Sequence, residues 1–203
     1  MNQIFKSKNL DDKIIEDLTK DILDKCEKIV EKNFNEIKIK YDNISKNEAY
    51  IISSFTCESK DKDFSPYKII NQSLVSDNRK KGIENISKYL YIFLKSLRKL
   101  PKFYSINPNK YLYRYINHKM SKESYKKGNE KTFWGFISTS PKHNNLLKEK
   151  EKNKTGTLFI LGGDIWGYDI ELFNYYGVKE ILLEPERKFT IDDYYMRKVL
   201  LKL

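Results

Sequence analysis

Cysteine, histidine and long apolar runs are all scarce in this chain of 203 residues. The two cysteines, Cys26 and Cys57, lie far apart and form no CxxC motif, which argues against a disulfide framework and favours a reducing compartment. The two histidines, His118 and His143, are isolated, so the sequence predicts no metal site. No apolar run approaches the roughly 18 residues of a membrane span, and the N-terminus has no apolar signal segment. We therefore expect a cytoplasmic protein, or one that is exported without a signal peptide.

Acidic residues are the minority among the charged residues, with 28 Asp and Glu against 39 Lys and Arg, and the formal net charge is +11. A basic balance is typical of proteins that bind nucleic acid, an acidic membrane surface or an anionic ligand such as a dinucleotide. The lysines are scattered among acidic residues along the whole chain, which is what a general compositional bias produces. No zinc-finger or basic-region motif is present, so binding to nucleic acid is not favoured.

The spacing of apolar residues predicts helices in the first half of the chain and strands in the second. Helices are predicted over residues 11–34, 47–55, 67–74 and 80–100. Strands are predicted over residues 110–116, 132–138, 156–161, 168–173 and 179–184, with one or two more in 188–203. Helices followed by strands indicate an α+β architecture with helices packed against an antiparallel or mixed sheet.

Three polar features interrupt the predicted strands. They are Arg114 within "YLYRYI", the hydroxyl run Ser138-Thr139-Ser140 at the end of "TFWGFISTS", and Glu180 at the start of "EILLE". An arginine inside an apolar strand is unfavourable unless it meets an anion. Taken one at a time, each feature also fits an ordinary solvent-exposed strand end, so only the ordered set is informative.

The order of arginine, Ser-Thr-Ser and glutamate resembles the signature of the mono-ADP-ribosyltransferases, in the branch of the vertebrate ectoenzymes and the actin-modifying bacterial toxins. The surrounding segments resemble that family as well: "SLRKLPKFYSINPNKYLYRYI", "SYKKGNEKTFWGFISTS", "GTLFIL" and "DIELFNYYGVKEILLEPERKF". The resemblance covers about residues 45–192. It implies a catalytic domain over 45–203, with a mixed, largely antiparallel two-sheet core, preceded by a helical segment over 1–44.

The resemblance also implies an activity, in which ADP-ribose passes from NAD to a protein side chain and nicotinamide is released without a metal. Cleavage of the nicotinamide–ribose bond has an oxocarbenium-like transition state, which a nearby carboxylate stabilises. The family pattern gives this role to Glu180, and it makes Ser138 the hydrogen-bonding partner that orients the carboxylate. Arg114 is expected to bind the pyrophosphate, because a guanidinium contacts two phosphate oxygens at once.

Further NAD contacts are implied for four residues. Tyr115 and Thr139 directly follow the arginine and the serine of the signature. Tyr67 and Asn71 are spaced by one helical turn, so they share a face of the third helix. This pair resembles the family's residues at the adenosine end of NAD, although an ordinary helix surface explains the pair equally well.

Two departures from the family pattern matter, and the first of them bears on the acceptor. Arginine-modifying members carry Glu or Gln two residues before the catalytic glutamate, and here that residue is Val178. The family usually has glycine after the signature arginine, and here it is Tyr115. Tyr175 and Tyr176 remain available for acceptor recognition or for packing. Arginine is the family's default acceptor; the alternatives are an NAD glycohydrolase, a transferase to another side chain, or a catalytically silent binding module.

Overall fold

The computed structural model describes residues 1, 5, 6, 8, 11–104, 111–142, 156–195 and 198–203. His143 and the first residue of the strand predicted over 110–116 lie outside these ranges. Four helices are complete within the described residues: α1 Asp12–Lys40, α2 Lys46–Thr56, α3 Pro66–Val75 and α4 Arg79–Leu97. None of the helices in the described ranges is long and apolar enough to cross a bilayer.

The predicted helices are confirmed, and the ends of α1 and α2 have clear local causes. Asp11 caps α1 by accepting a hydrogen bond from the Lys13 N–H at 2.8 Å. The buried stripe of α1 continues to Ile37, which is why the helix extends past the predicted end at residue 34. At the start of α2, Ser45 and Glu48 form a reciprocal capping box, which satisfies backbone N–H groups that have no partner inside the helix.

The chain forms two compact units. The first unit contains residues 1–101 and 170–178, and the second contains residues 102–169 and 179–203. All four helices belong to the first unit. The boundary predicted between residues 44 and 45 lies inside the first unit, and it stays a prediction.

The second unit is built from two sheets. Its described strands are β1 Lys102–Tyr104, β2 Leu112–Ile116, β3 Glu130–Phe133, β4 Ile137–Thr139, β5 Thr157–Gly162, β6 Trp166–Asp169, β7 Ile181–Leu183, β8 Arg187–Tyr195 and β9 Lys198–Lys202. One sheet has the order β1-β6-β7-β4 and is antiparallel throughout. The other has the order β2-β5-β9-β8-β3, in which β5 and β9 run parallel. The predicted α+β class with a mixed, largely antiparallel two-sheet core is confirmed.

Side chains from both sheets form the core of the second unit. The cluster includes Leu112, Ile137, Phe159, Leu161, Ile181, Leu183, Phe189, Ile191, Val199 and Leu201. Alternate residues of β8 and β9 point into this cluster, as expected for strands with one buried face.

Two predicted strands were wrong in their extent. Residues 132–138 do not form one strand, because β3 ends at Phe133 in one sheet and β4 begins at Ile137 in the other. Gly135 lies between two aromatic residues at this crossing, and the Trp134 side chain is 37% exposed rather than buried. The strand predicted over 168–173 ends at Asp169, and a 3₁₀ helix over Glu171–Phe173 follows it. Strand β1 was not predicted.

Candidate active site

Strands β2 and β4 meet at the point where the hydroxyl run ends. The Tyr113 N–H donates to the Ser140 carbonyl, and the Ser140 N–H donates to the Tyr113 carbonyl, both at 2.8 Å. This bridge joins the ends of two strands that belong to different sheets. As a result Arg114, the next residue along β2, reaches β4, and its Nη1 donates to the Ser138 carbonyl oxygen at 3.2 Å.

The pairing of β4 with β7 brings the glutamate to the same place. Ser138 lies opposite Leu182 and Thr139 lies opposite Ile181 in this antiparallel pair. Glu180 directly precedes β7, so the register makes it the diagonal neighbour of Ser138 on the same side of the sheet. Two contacts fix this end of β7. The buried Thr139 hydroxyl donates to the Ile181 carbonyl at 2.6 Å, and the Lys179 ammonium pairs with Asp169 at 2.5 Å.

Charge and exposure distinguish the three signature residues. Burial lowers the pKa of the half-buried Arg114 guanidinium from its usual value, and the nearby negative charge of Glu180 opposes that shift. Ser138 is exposed and Glu180 is half-exposed. The structure therefore brings Arg114, Ser138 and Glu180 together in one cluster that solvent can reach.

The two residues that follow the signature residues have different surroundings. Thr139 is buried and its hydroxyl donates to a backbone carbonyl, so it supports the end of the strand. Its contact with NAD stays a prediction. The Tyr115 side chain lies over Gly156, just before β5. A Cβ atom at Gly156 would be 1.9 Å from the Tyr115 hydroxyl, so the glycine makes room for a side chain where the family usually has none.

Tyr67 and Asn71 lie on α3 in the first unit, one turn apart and both half-buried. Burial raises the pKa of the Tyr67 phenol above its usual value. Their predicted contacts with NAD stay a prediction.

The segment before Glu180 is held by residues at the end of α2, which the sequence analysis missed. The Tyr175 N–H donates to the Thr56 hydroxyl at 3.0 Å. That hydroxyl in turn donates to two carbonyl oxygens, of Ser53 at 2.8 Å and of Phe173 at 3.1 Å. The Tyr176 hydroxyl donates to the Glu58 carboxylate at 2.7 Å. No local pattern could reveal these contacts, because the partners are more than a hundred residues apart in the sequence.

Val178, the residue at which the family pattern predicts an acceptor-directing side chain, is exposed. The side chain of Val178 is 47% exposed, and both Tyr175 and Tyr176 are exposed beside it in the chain. Gly177 separates this tyrosine pair from Val178 and has a φ angle of 61°, a conformation that glycine adopts readily and other residues rarely do. Among the described residues, no group of three or more His, Cys, Asp or Glu side chains is placed to hold a metal ion.

Comparison with known proteins supports the fold of this chain. Neither the models of known protein families nor the curated proteins give a match to the sequence. Solved structures do match. The ADP-ribosyltransferase HopU1 of Pseudomonas syringae pv. Tomato DC3000 is 17% identical with a TM-score of 0.64, over 89% of this chain and 86% of that one. The Vis toxin, an ADP-ribosyltransferase from Vibrio splendidus, is 19% identical with a TM-score of 0.55, over 90% of this chain and 83% of that one.

A mutant of the eukaryotic mono-ADP-ribosyltransferase ART2.2, in complex with NADH, also matches. It is 14% identical with a TM-score of 0.62, and the match covers 98% of this chain and 81% of that one. At these identities a likeness is evidence for the fold. The resemblance seen in the sequence is confirmed at that level: this chain has the fold of the mono-ADP-ribosyltransferases.

Proposed function

We propose that this protein is an NAD-dependent protein mono-ADP-ribosyltransferase. The observation that carries the proposal is the cluster of Arg114, Ser138 and Glu180. In this cluster the Arg114 guanidinium donates to the Ser138 carbonyl, and the nearby negative charge of Glu180 opposes the lowering of the Arg114 pKa by burial. Two proteins of the same fold support the choice of ligands: ART2.2 has been crystallised with NAD, and Vis with agmatine.

Glu180 is the proposed catalytic residue. When the bond between the ribose C1′ and nicotinamide breaks, its electron pair leaves with nicotinamide and positive charge develops on the ribose. A carboxylate held beside the ribose stabilises this charge more in the transition state than in the ground state, which lowers the barrier. The acceptor then forms a bond to C1′ and loses a proton.

Arg114 is the proposed pyrophosphate ligand. A half-buried guanidinium interacts more strongly with a phosphate than one in bulk water does, because the surrounding dielectric is lower. Its hydrogen bond to the Ser138 carbonyl holds one side of the planar fork in a fixed direction. Ser138 is the proposed positioning residue for the Glu180 carboxylate, since the strand register makes the two diagonal neighbours.

The proposal also concerns the group that accepts ADP-ribose. Arginine is the family default, as in an NAD(P)+–protein (arginine) ADP-ribosyltransferase. The exposed Val178 argues against it, because valine has no polar side-chain atom to orient a protonated guanidinium. This observation favours a second candidate: a transferase to another side chain, or an NAD glycohydrolase in which water is the acceptor.

Incubation with radiolabelled NAD tests the proposal. The reaction contains a cell lysate as a source of acceptor proteins, with free agmatine in a parallel tube and a Glu180→Gln variant as the control. Labelled protein supports the transferase, and free ADP-ribose supports the glycohydrolase. If the wild type yields neither product while still binding NAD, the chain is a binding module and the proposal is wrong.

A further inference from the structure

The two cysteines of the chain lie against each other in the first unit. Cys26 is in the middle of α1, and Cys57 is the residue that directly follows α2. Their Sγ atoms are 3.6 Å apart, and both side chains are completely buried. Two sulfur atoms at this distance are in van der Waals contact, so no other atom lies between them.

We infer that Cys26 and Cys57 form a disulfide bond when the chain folds in an oxidising medium. Both are free thiols in the structure. To form the bond, each thiol gives up one proton and one electron. A small disulfide such as oxidised glutathione accepts the two electrons and becomes two thiols. The sulfur atoms must then approach from 3.6 Å to a bond length of about 2.05 Å, a movement small enough for side-chain rotation.

The position of the two cysteines determines how a disulfide would affect the fold. The disulfide would join the middle of α1 to the end of α2 and close a loop that contains the turn between the two helices. A cross-link of this kind restricts the unfolded chain more than the folded one, so it stabilises the fold. Cys57 also lies between Thr56 and Glu58, which hold the segment before Glu180. The bond would therefore also anchor the chain neighbours of Cys57 that hold this segment.

The same burial controls when the bond forms. The attacking species in thiol–disulfide exchange is the thiolate. The hydrogen bond to Cys57 and burial both raise the pKa of the Cys26 thiol well above its usual value, while Ser53 opposes the shift more weakly. In the folded, reduced protein the Cys26 thiol is thus protonated, and burial keeps both thiols away from an oxidant. The bond should form during folding, when oxidant can still reach the sulfurs.

Refolding in a glutathione buffer tests the inference. The reduced, unfolded protein is diluted into mixtures of oxidised and reduced glutathione. After an acid quench, free thiols are alkylated under denaturing conditions and the intact mass is measured. We expect a monomer with no alkylation and a mass lower by about two hydrogen atoms. Its far-UV circular dichroism should match that of the reduced protein, and its midpoint of thermal unfolding should be higher by several degrees.

Two controls keep the test decisive. Cys26→Ser and Cys57→Ser each leave one thiol, which can stay free or carry one glutathione but cannot cross-link. If these variants fold poorly, the wild type supplies its own control through the glutathione ratio needed for half cross-linking. We expect cross-linking to be at least about a hundredfold more favourable in native buffer than in denaturant, where the sulfurs meet only at millimolar effective concentration. The inference is overturned if the folded wild type keeps two free thiols or two glutathione adducts, or if cross-linking destroys the native spectrum.

Discussion

Glu180 is the side chain on which the proposed chemistry depends most directly. Glu180→Gln keeps the shape of the residue and removes the charge that meets the oxocarbenium ion. We expect turnover of NAD to fall by about a hundredfold or more, the scale of one lost electrostatic stabiliser. NAD affinity, measured by calorimetry, should change much less. A variant that turns over NAD at the wild-type rate would rule out Glu180 as the catalytic carboxylate.

Arg114 should act through binding rather than through turnover. Arg114→Lys keeps the positive charge but loses the planar fork that contacts two phosphate oxygens. We expect NAD affinity to fall by about tenfold, the scale of one charge-assisted hydrogen bond, with a native circular dichroism spectrum. Arg98→Lys, at the exposed C-terminal cap of α4, makes the same chemical change at a residue that is not part of the cluster, and it should leave NAD affinity unaltered. Equal affinity in both variants would make Arg114 a purely structural residue.

Val178 should determine whether a guanidinium is accepted. We expect the wild type to modify agmatine poorly, because no polar group at residue 178 orients the protonated guanidinium. Val178→Glu should raise agmatine modification, while NAD cleavage continues because Glu180 is untouched. The measurement is agmatine labelling with NAD hydrolysis followed in parallel, and Val178→Leu is the matched control. Strong agmatine labelling by the wild type would show that another residue directs the acceptor.

At the scale of the elements, hydrogen bonds join the end of α2 to the segment before Glu180. Thr56 is buried, accepts a hydrogen bond from the Tyr175 N–H and donates to the Phe173 carbonyl. The segment's position therefore rests on a hydroxyl that lies far away in the sequence.

Thr56→Val removes that hydroxyl while keeping the shape of the side chain. We expect the free energy of unfolding to fall by about 1–3 kcal/mol, because the backbone groups of Tyr175, Phe173 and Ser53 lose a partner. Hydrogen exchange should accelerate in the segment 170–178, and Thr56→Ser should restore most of the protection. The matched control is Thr157→Val in the second unit, where a buried hydroxyl is also bonded to backbone groups, at Met120 and His118.

Thr157→Val should cost similar stability without accelerating exchange in 170–178. Faster exchange there in both variants would mean that the segment responds to global stability and not to Thr56.

At the scale of the whole molecule, the excess of 39 basic over 28 acidic residues should attract an anionic ligand. We expect NAD affinity to fall as salt rises from about 0.05 to 0.5 M, because salt screens the attraction of the positive charges for the pyrophosphate. Nicotinamide is uncharged and offers a matched control, so its affinity should stay nearly constant. Calorimetry at several salt concentrations measures both. A salt-independent NAD affinity would show that the net charge has no part in binding.

Elements whose apolar pattern repeats over many residues could be predicted from the sequence, whereas features that depend on tertiary contacts could not. Helix α1 was predictable because its apolar stripe repeats over many turns, and only its end was misplaced. The run 132–138 was read as one strand because a short apolar segment does not show which sheet it joins; the crossing between Phe133 and Ile137 is set by its partners in space. Arg114, Ser138 and Glu180 were recognisable through their resemblance to a family signature, whereas Thr56 had no such signal.

The interleaving of the two units has a consequence for how the chain is made. Residues 170–178 belong to the helical unit, although they are inserted in the sequence among the strands. Phe173 from this insert is fully buried and stacks on Tyr41 at 5.8 Å between ring centroids. On the ribosome, the four helices emerge long before this insert does, so the Tyr41 ring lacks its stacking partner Phe173 until then. Completion of the helical unit is thus postponed until residues 170–178 have been made, and a nascent chain released after residue 101 lacks the aromatic ring that stacks on Tyr41.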